Sequence, residues 1–476
     1  MLSRLFAPVL GALVLFGALL NSGPVFSDDR VAGEPNVSSP VPLPEVPSAL
    51  GLAASREVYR PAPPATVEPV ADSSLPLYVV GDIGPNSNQL VRYEEEAGQL
   101  SDGDVSACGD SCCGTSGCGN MCCDKAGRFW VRGEYLLWWT KGAGSPPLLT
   151  TSPAGTPKTE AGILGFPDTE ILFPGAPLNN DSRSGYRFSF GLWLDECRKL
   201  AFEGDFWDLG AGTTSFHASG DGSPILARPY YDTFIDGPNA ALISFDGGGL
   251  NVTGEITINA SDYFQSAGGW LTYNLMNCRE KCSSKSLFRL DMLAGYRHYR
   301  YNDNLSIHTL TVNTPPGTVT LEETDSFHTH NDFHGGELGV RTEMTRGRWS
   351  LSLLAKAAFG NTHQVVTISG QTIRTIGTNP PIVTDGALFT ADNNLGQFSR
   401  DRFAVIPQFG AEIGFDLTCN CRVFGGYNFL YWANVQRAGS QIDFNVDPIN
   451  NTSPVPQLTN TDFWAQGVNA GLECRF

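Results

Sequence analysis

The chain has 476 residues, with 31 Lys and Arg against 49 Asp and Glu, for a net charge of −18. That balance excludes the basic footprint of a nucleic-acid binder. Its 12 Cys suit an oxidising compartment where disulfides persist.

The N-terminus opens on Met1-Leu-Ser-Arg4, followed by an almost wholly apolar run from Leu5 to Leu20. Val25-Phe26-Ser27, ahead of Asp28-Asp29, offers small residues for a signal peptidase, so 1–27 is read as a signal peptide. The run is short for a spanning helix and is interrupted by Pro8. Residues 28–105 are rich in Pro, Ala, Val, Ser and Glu, as in Arg60-Pro-Ala-Pro-Pro64, and read as an extended, disordered linker. A Cys-rich periplasmic segment, 106–127, precedes residues 128–476.

From Arg128 onward the texture is strand-like. Phe129, Val131, Tyr135, Leu137 and Trp139 fall on one face, against Arg132 and Glu134. Phe403, Val405, Phe409, Ala411 and Ile413 likewise oppose Arg402, Gln408 and Glu412. Side chains of a strand alternate with period two. One face can therefore meet lipid while the other meets a polar interior, and a bilayer admits strands only as a closed barrel.

The same reading gives about ten strands (range 8 to 14): 128–140, 184–195, 199–209, 260–277, 286–302, 325–345, 348–366, 401–417, 421–437 and 461–476. Long connections follow the odd-numbered strands and short turns the even ones, as in an up-and-down antiparallel outer-membrane barrel with both ends in the periplasm. The expected long outer loops include 141–183, 210–259, 367–400 and 438–460. Trp138, Trp139, Tyr299, Tyr301, Tyr431 and Trp432 near strand ends suggest interfacial girdles. The last strand ends at Phe476 with Leu472 on the same face, the expected signal to a barrel-assembly machinery.

Several segments carry a resemblance. Phe129-Trp-Val-Arg-Gly-Glu-Tyr-Leu-Leu-Trp-Trp139, Gly222-Ser-Pro-Ile-Leu-Ala-Arg-Pro229 and Leu290-Asp-Met-Leu-Ala-Gly-Tyr296 are three of them. Ser399-Arg-Asp-Arg-Phe-Ala404, Asn428-Phe-Leu-Tyr-Trp432 and Thr461-Asp-Phe-Trp-Ala-Gln-Gly-Val-Asn469 complete the set. In this order they resemble the planctomycete-type bacterial "beta-barrel porin, family seven". The resemblance covers 128–476, not the linker or the Cys-rich stretch. It implies a barrel in the outer membrane and assigns no substrate and no catalytic residue.

Three groups of residues could carry chemistry. Cys108, Cys112, Cys113, Cys118, Cys122 and Cys123 form a dense cluster, read as a disulfide knot rather than a metal site. Cys197, Cys278, Cys282, Cys419, Cys421 and Cys474 fall at the periplasmic strand ends, within reach of such a knot. By alternation, Arg132, Glu134, Arg187, Glu203, Asp205, Arg289, Asp291, Glu337, Arg341, Glu343, Lys356, Arg402, Glu412 and Asp416 point inward. Ten strands enclose little more than side chains can fill, so this set reads as a paired network in a plugged lumen, preferred to a narrow selective pore. His298, His308, His328, His330, His334 and His363 lie toward the outer side, with Asp332 among them. They read as interfacial residues in preference to a catalytic or metal cluster. The run Asp246-Gly-Gly-Gly249 lacks the strand–loop–helix context of a phosphate cradle and reads as loop.

The expected function is a structural or passive small-solute transport barrel, with no cofactor or resident metal and no enzymatic activity. Surface binding or adhesion through the outer loops is the alternative, and an outer-rim hydrolase a minor one. The expected partners are outer-membrane lipid, the assembly machinery, and the cell wall or a periplasmic protein through the N-terminal arm.

Overall fold

The computed structural model describes residues 127–195, 198–279, 286–314 and 317–476. The signal, linker and Cys-cluster assignments fall outside these residues, as do Cys197 and Cys282. The sheet contains β1 (Phe129–Thr140), β2 (Leu149–Ser152), β3 (Glu170–Phe173), β4 (Ser182–Trp193), β5 (Leu200–Gly220), β6 (Ile225–Asp232), β7 (Gly237–Gly247) and β8 (Leu250–Arg279). It continues with β9 (Ser286–Thr314), β10 (Val319–Arg346), β11 (Trp349–Ile376), β12 (Ile382–Asp385), β13 (Gly396–Asp416), β14 (Cys421–Gln436), β15 (Asn445–Val446) and β16 (Asn460–Arg475).

Ten of these close a ring in the order β1, β4, β5, β8, β9, β10, β11, β13, β14, β16 and back to β1. Each neighbouring pair is antiparallel. These are the ten strands legible in the sequence, and the fold is an all-β up-and-down barrel. Phe476 and Phe129 exchange backbone hydrogen bonds at the seam of the first and last strands, 2.7 and 3.3 Å long.

The barrel is much taller on one side. β1 and β4 have 12 residues each, whereas β8, β9, β10 and β11 have 30, 29, 28 and 28. At about 3.3 Å per residue and a tilt near 40°, a 28-residue strand rises roughly 70 Å, far beyond a hydrocarbon band of about 25 Å. The expected loops 210–259 and 367–400 are therefore corrected: most of 210–259, and 367–376 with 396–400, are strand. β9 likewise extends to Thr314 and β10 begins at Val319, so strand replaces most of the long connection expected between them. A polar outward face is what hid these extensions, because above the bilayer both faces lose the lipid-facing signature. Of the Gly run at 247–249, Gly247 ends β7 and Gly248–Gly249 form a two-residue hairpin turn into β8, with φ of +61° and +79°. That conformation suits glycine and matches strand twist.

The outward face near the short turns carries an apolar belt. Tyr135, Phe188, Leu271, Leu338, Phe409 and Val468 are exposed on six different strands. Among the described residues no helix is long and apolar enough to cross a membrane; strands do the crossing.

At the short-turn end Cys421 and Cys474 stand opposite one another in register on β14 and β16 and form a disulfide. Cys419 is disulfide-bonded as well. Alkylation of the unreduced, unfolded chain should leave Cys421 and Cys474 unmodified, and peptide mass mapping checks this; labelling of either would refute the bridge.

Candidate functional site

The candidate site is the lumen, and it is filled in layers. Nearest the short turns, Arg422 contacts Glu343 at 2.7 Å and Asp416 at 3.0 Å. Arg132 reaches Glu412 at 2.6 Å and Glu134 at 3.0 Å, and Arg187 joins Glu134 at 3.4 Å. Arg341 holds Glu203 through two hydrogen bonds of 2.7 and 3.0 Å, while Arg289 meets Asp291 at 2.8 Å. At the centre Arg297, fully buried, contacts Asp205 at 2.6 Å and Glu337 at 3.0 Å, with Lys356 3.3 Å from Glu337. Thirteen of the fourteen side chains expected inside make ion pairs, some along one strand, as Arg289–Asp291, and others between strands far apart in the chain, as Arg341–Glu203. Burying charge is tolerable only when each ion has a partner, and the alternation of sign along the strands supplies one. Arg402 stands apart: it keeps the inward parity, opposite Thr362 in register, yet is exposed. Arg297 itself is absent from the expected set, although its parity with Asp291 on β9 marks it.

The layer above corrects the expectation of a uniformly polar interior. Trp138, Trp207, Phe264, Tyr299, Tyr301, Phe333, Trp432 and Phe463 form one buried cluster inside the barrel. Phe264 is its hub, edge-on to Trp207 at 4.7 Å and to Phe463 at 5.0 Å. Four of the aromatics expected in girdles (Trp138, Tyr299, Tyr301 and Trp432) have no exposed surface at all. All four are on the inward parity; Trp138 and Trp432 sit near strand ends, whereas the extension of β9 to Thr314 leaves Tyr299 and Tyr301 in mid-strand. Trp139 does face outward.

Above the aromatics lies a second polar layer that the sequence reading missed. Arg437 binds Asp303 at 2.6 Å, Arg183 binds Asp262 at 2.5 Å, and Tyr301 donates to Asp262 at 2.7 Å. Higher still, Arg228 pairs with Asp325 at 2.5 Å. The three aspartates lie on the inward parity of long strands and could have been found by continuing the alternation. Arg228 and Arg437 come from the capping segments, where no period speaks for them.

The remaining connections form a cap. The small sheet β3-β2-β6-β7 packs on the concave face of the tall wall, with Leu149, Leu226 and Ile243 against Ile258, Ile307, Phe327 and Ile368. The turn after β15 is fixed by Asp447, which accepts hydrogen bonds from Thr452 Oγ1 at 2.6 Å and from the Asn450 amide at 2.8 Å. These bonds hold its carboxyl down at about 2.

The histidines line the outside. His298, His330, His334 and Asp332 share the outward face of β9 and β10, just beyond the exposed Tyr296 and Leu338. His330 contacts Asp332 at 2.5 Å, Arg300 contacts it at 2.8 Å, and the rings of His298 and His334 stack at 4.6 Å. His363 pairs with Asp401 at 3.0 Å on β11 and β13. Their hydrogen-bond partners are Asn, Asp and Tyr side chains. Among the described residues no three His, Cys, Asp or Glu side chains converge as metal ligands.

Among solved structures the chain is similar to the outer membrane protease OmpT of Escherichia coli, with 11% identity and a TM-score of 0.33, covering 73% of this chain and 96% of that one. It is also similar to the toluene transporter TodX of P. putida, with 7% identity and a TM-score of 0.17, covering 74% and 90%. Among curated proteins nothing matches it in sequence. A family model described as "Putative beta barrel porin-7 (BBP7)" matches residues 130–476. With ten closed strands, an apolar belt and that match over most of its length, the chain belongs to the beta barrel porin-7 family of the outer membrane.

Proposed function

We propose that this barrel is a closed, structural element of the outer membrane that carries a rigid cap at the cell surface, and that it does not conduct. The observation that supports this reading most is the sequence of buried layers in the lumen: charged layer, aromatic layer, second charged layer and cap follow one another. A space at the short-turn end, lined by Arg132, Glu412 and Arg422, is about 20 Å³ and holds little more than one water; a groove of about 460 Å³ lies on the cap. Planar-bilayer recording on refolded protein should show no stable conductance steps. Steps of constant size across preparations would refute closure and restore passive small-solute transport.

In this reading the short turns and the N-terminal segment lie in the periplasm, where the arm can reach the cell wall or a periplasmic partner. The terminal strand, with Leu472 and Phe476, is presented to the barrel-assembly machinery. The outward histidines are committed to hydrogen bonds along the wall, which favours a non-enzymatic barrel over a hydrolase.

A second reading, surface binding, is supported by that cap groove, lined by Ile163, Phe166, Ile235 and Pro238 with Lys158 at its edge. Phe166 and Ile235 keep much of their surface exposed.

A further inference from the structure

The tall wall carries a neutral outer face. On its four longest strands the outward side chains stand in rows, matched in register across β8, β9, β10 and β11. Three successive rows run from Tyr263 to Val365, from Ser261 to Thr367 and from Asn259 to Ser369, through 302–306 of β9 and 326–330 of β10. None of these twelve positions holds Asp, Glu, Lys or Arg. About 25–35% of an ordinary soluble surface is charged, which would put three or four charges there. Charge resumes just below, at Arg300 and Asp332, and two rows above, at Glu255 and Glu322. Desolvation by its surroundings, then the neighbouring His330, hold His328 below its usual pKa, which keeps it uncharged at neutral pH.

The face also has hydrogen-bonding capacity to spare. Asn259, Asn302 and Asn304 each use the amide oxygen, toward Ser215, His330 and His328. Among the described residues their NH2 groups have no partner, nor do the hydroxyls of Ser306, Ser326 and Ser369.

Height narrows what can reach it. Tyr296 on β9 and Phe359 on β11, both exposed, mark the top of the apolar belt. The lowest row lies six residues beyond Tyr296 on β9. At about 3.3 Å per residue and a tilt near 40°, it stands roughly 15 Å above the belt and the highest row roughly 25 Å. A phospholipid headgroup layer is only about 5–7 Å deep. Phospholipid heads stop short of the face, and only a lipid with an extended head reaches it.

We propose that this face binds the neutral oligosaccharide head of a glycolipid in the adjacent leaflet. The face continues the lipid-facing surface on the same strands and the same parity, so a lipid anchored at the belt brings its head alongside. Amide and hydroxyl groups match sugar hydroxyls, which both donate and accept, whereas an ionic head would find no counter-charge. Anchoring makes each sugar contact intramolecular, so individually weak hydrogen bonds suffice. The assignment to the outer leaflet rests on the orientation proposed above, with the tall end at the cell surface.

The test uses the full chain in phosphatidylcholine nanodiscs holding a diacylglycerol with a maltopentaose head and a diazirine on its terminal glucose. The probe occupies both leaflets, so the readout does not depend on which end faces the cell exterior; protease access to the cap on intact cells decides that orientation separately. Cross-links located by tandem mass spectrometry are expected at 259–261, 302–306, 326–330 and 365–369. The same lipid with a single glucose is too short and should label 334–338 instead. N259A/N304A/S369A, at three exposed positions, should lower labelling of the face about tenfold, the sum of several modest hydrogen bonds. Labelling of this variant within twofold of the parent chain would overturn the proposal, as would equal labelling of the face by the single-glucose lipid. A head of equal length ending in a uronate that labels as strongly would overturn the neutral assignment. Complete competition by equimolar free maltopentaose would overturn the lipid source in favour of a soluble glycan.

Discussion

Replacing Phe264 by alanine should destabilise the folded barrel by about 3–5 kcal/mol, the cost of emptying a large aromatic site that cannot collapse. The site is rigid because its neighbours come from strands all round the ring: Trp207 on β5, Tyr301 on β9, Trp432 on β14 and Phe463 on β16. None can move inward without leaving its own ladder. Phe264→Leu, which keeps most of the volume, should cost about 1–2 kcal/mol. Guanidinium unfolding in phospholipid vesicles, followed by tryptophan fluorescence, measures both. A loss below about 1 kcal/mol for the alanine variant would mean that the aromatic layer is loosely packed. The closure argued above would then lose its strongest support.

The second large effect is expected at the ionic centre. Arg297→Met leaves Asp205 and Glu337 buried with only Lys356 to share, and should cost about 3–5 kcal/mol, as breaking a buried pair from one side does. The guanidinium also lies 5.2 Å from the Trp270 ring centre and 5.6 Å from that of Tyr299, contacts that methionine only partly replaces. Adding Asp205→Asn restores the balance, since Glu337 keeps Lys356, and R297M/D205N should recover more than half of the loss. The same vesicle unfolding decides it. If the double variant is no more stable than R297M alone, the cost comes from lost packing and not from an unmatched charge.

These two layers show how far the residues could be read in order. Arg132, Glu134, Glu203, Asp205, Glu337 and Arg341 were read as lumen-facing because each sits at odd spacing from apolar neighbours on the opposite parity. Parity is local and needs no knowledge of the partner strand. The pairing of Arg341 with Glu203 was not assignable, because these residues are 138 apart in the chain and meet only across a closed ring. Trp138 and Trp432 show the limit more sharply. A tryptophan near a strand end suits an interfacial girdle or an inward core equally well. What separates the two is whether Trp207, Phe264 and Phe463 are waiting on the other side.

The sequence by itself pointed to about ten antiparallel strands with neighbours in chain order, because a period of two and alternating turn lengths are written locally. Only the tertiary structure decided which distant side chains pair inside the lumen, that much of the outer connections is wall and cap, and that β13 and β14 part at Pro407. Those outcomes depend on how ten curved strands bring distant side chains within contact distance, and on where the ladder between two of them gives out.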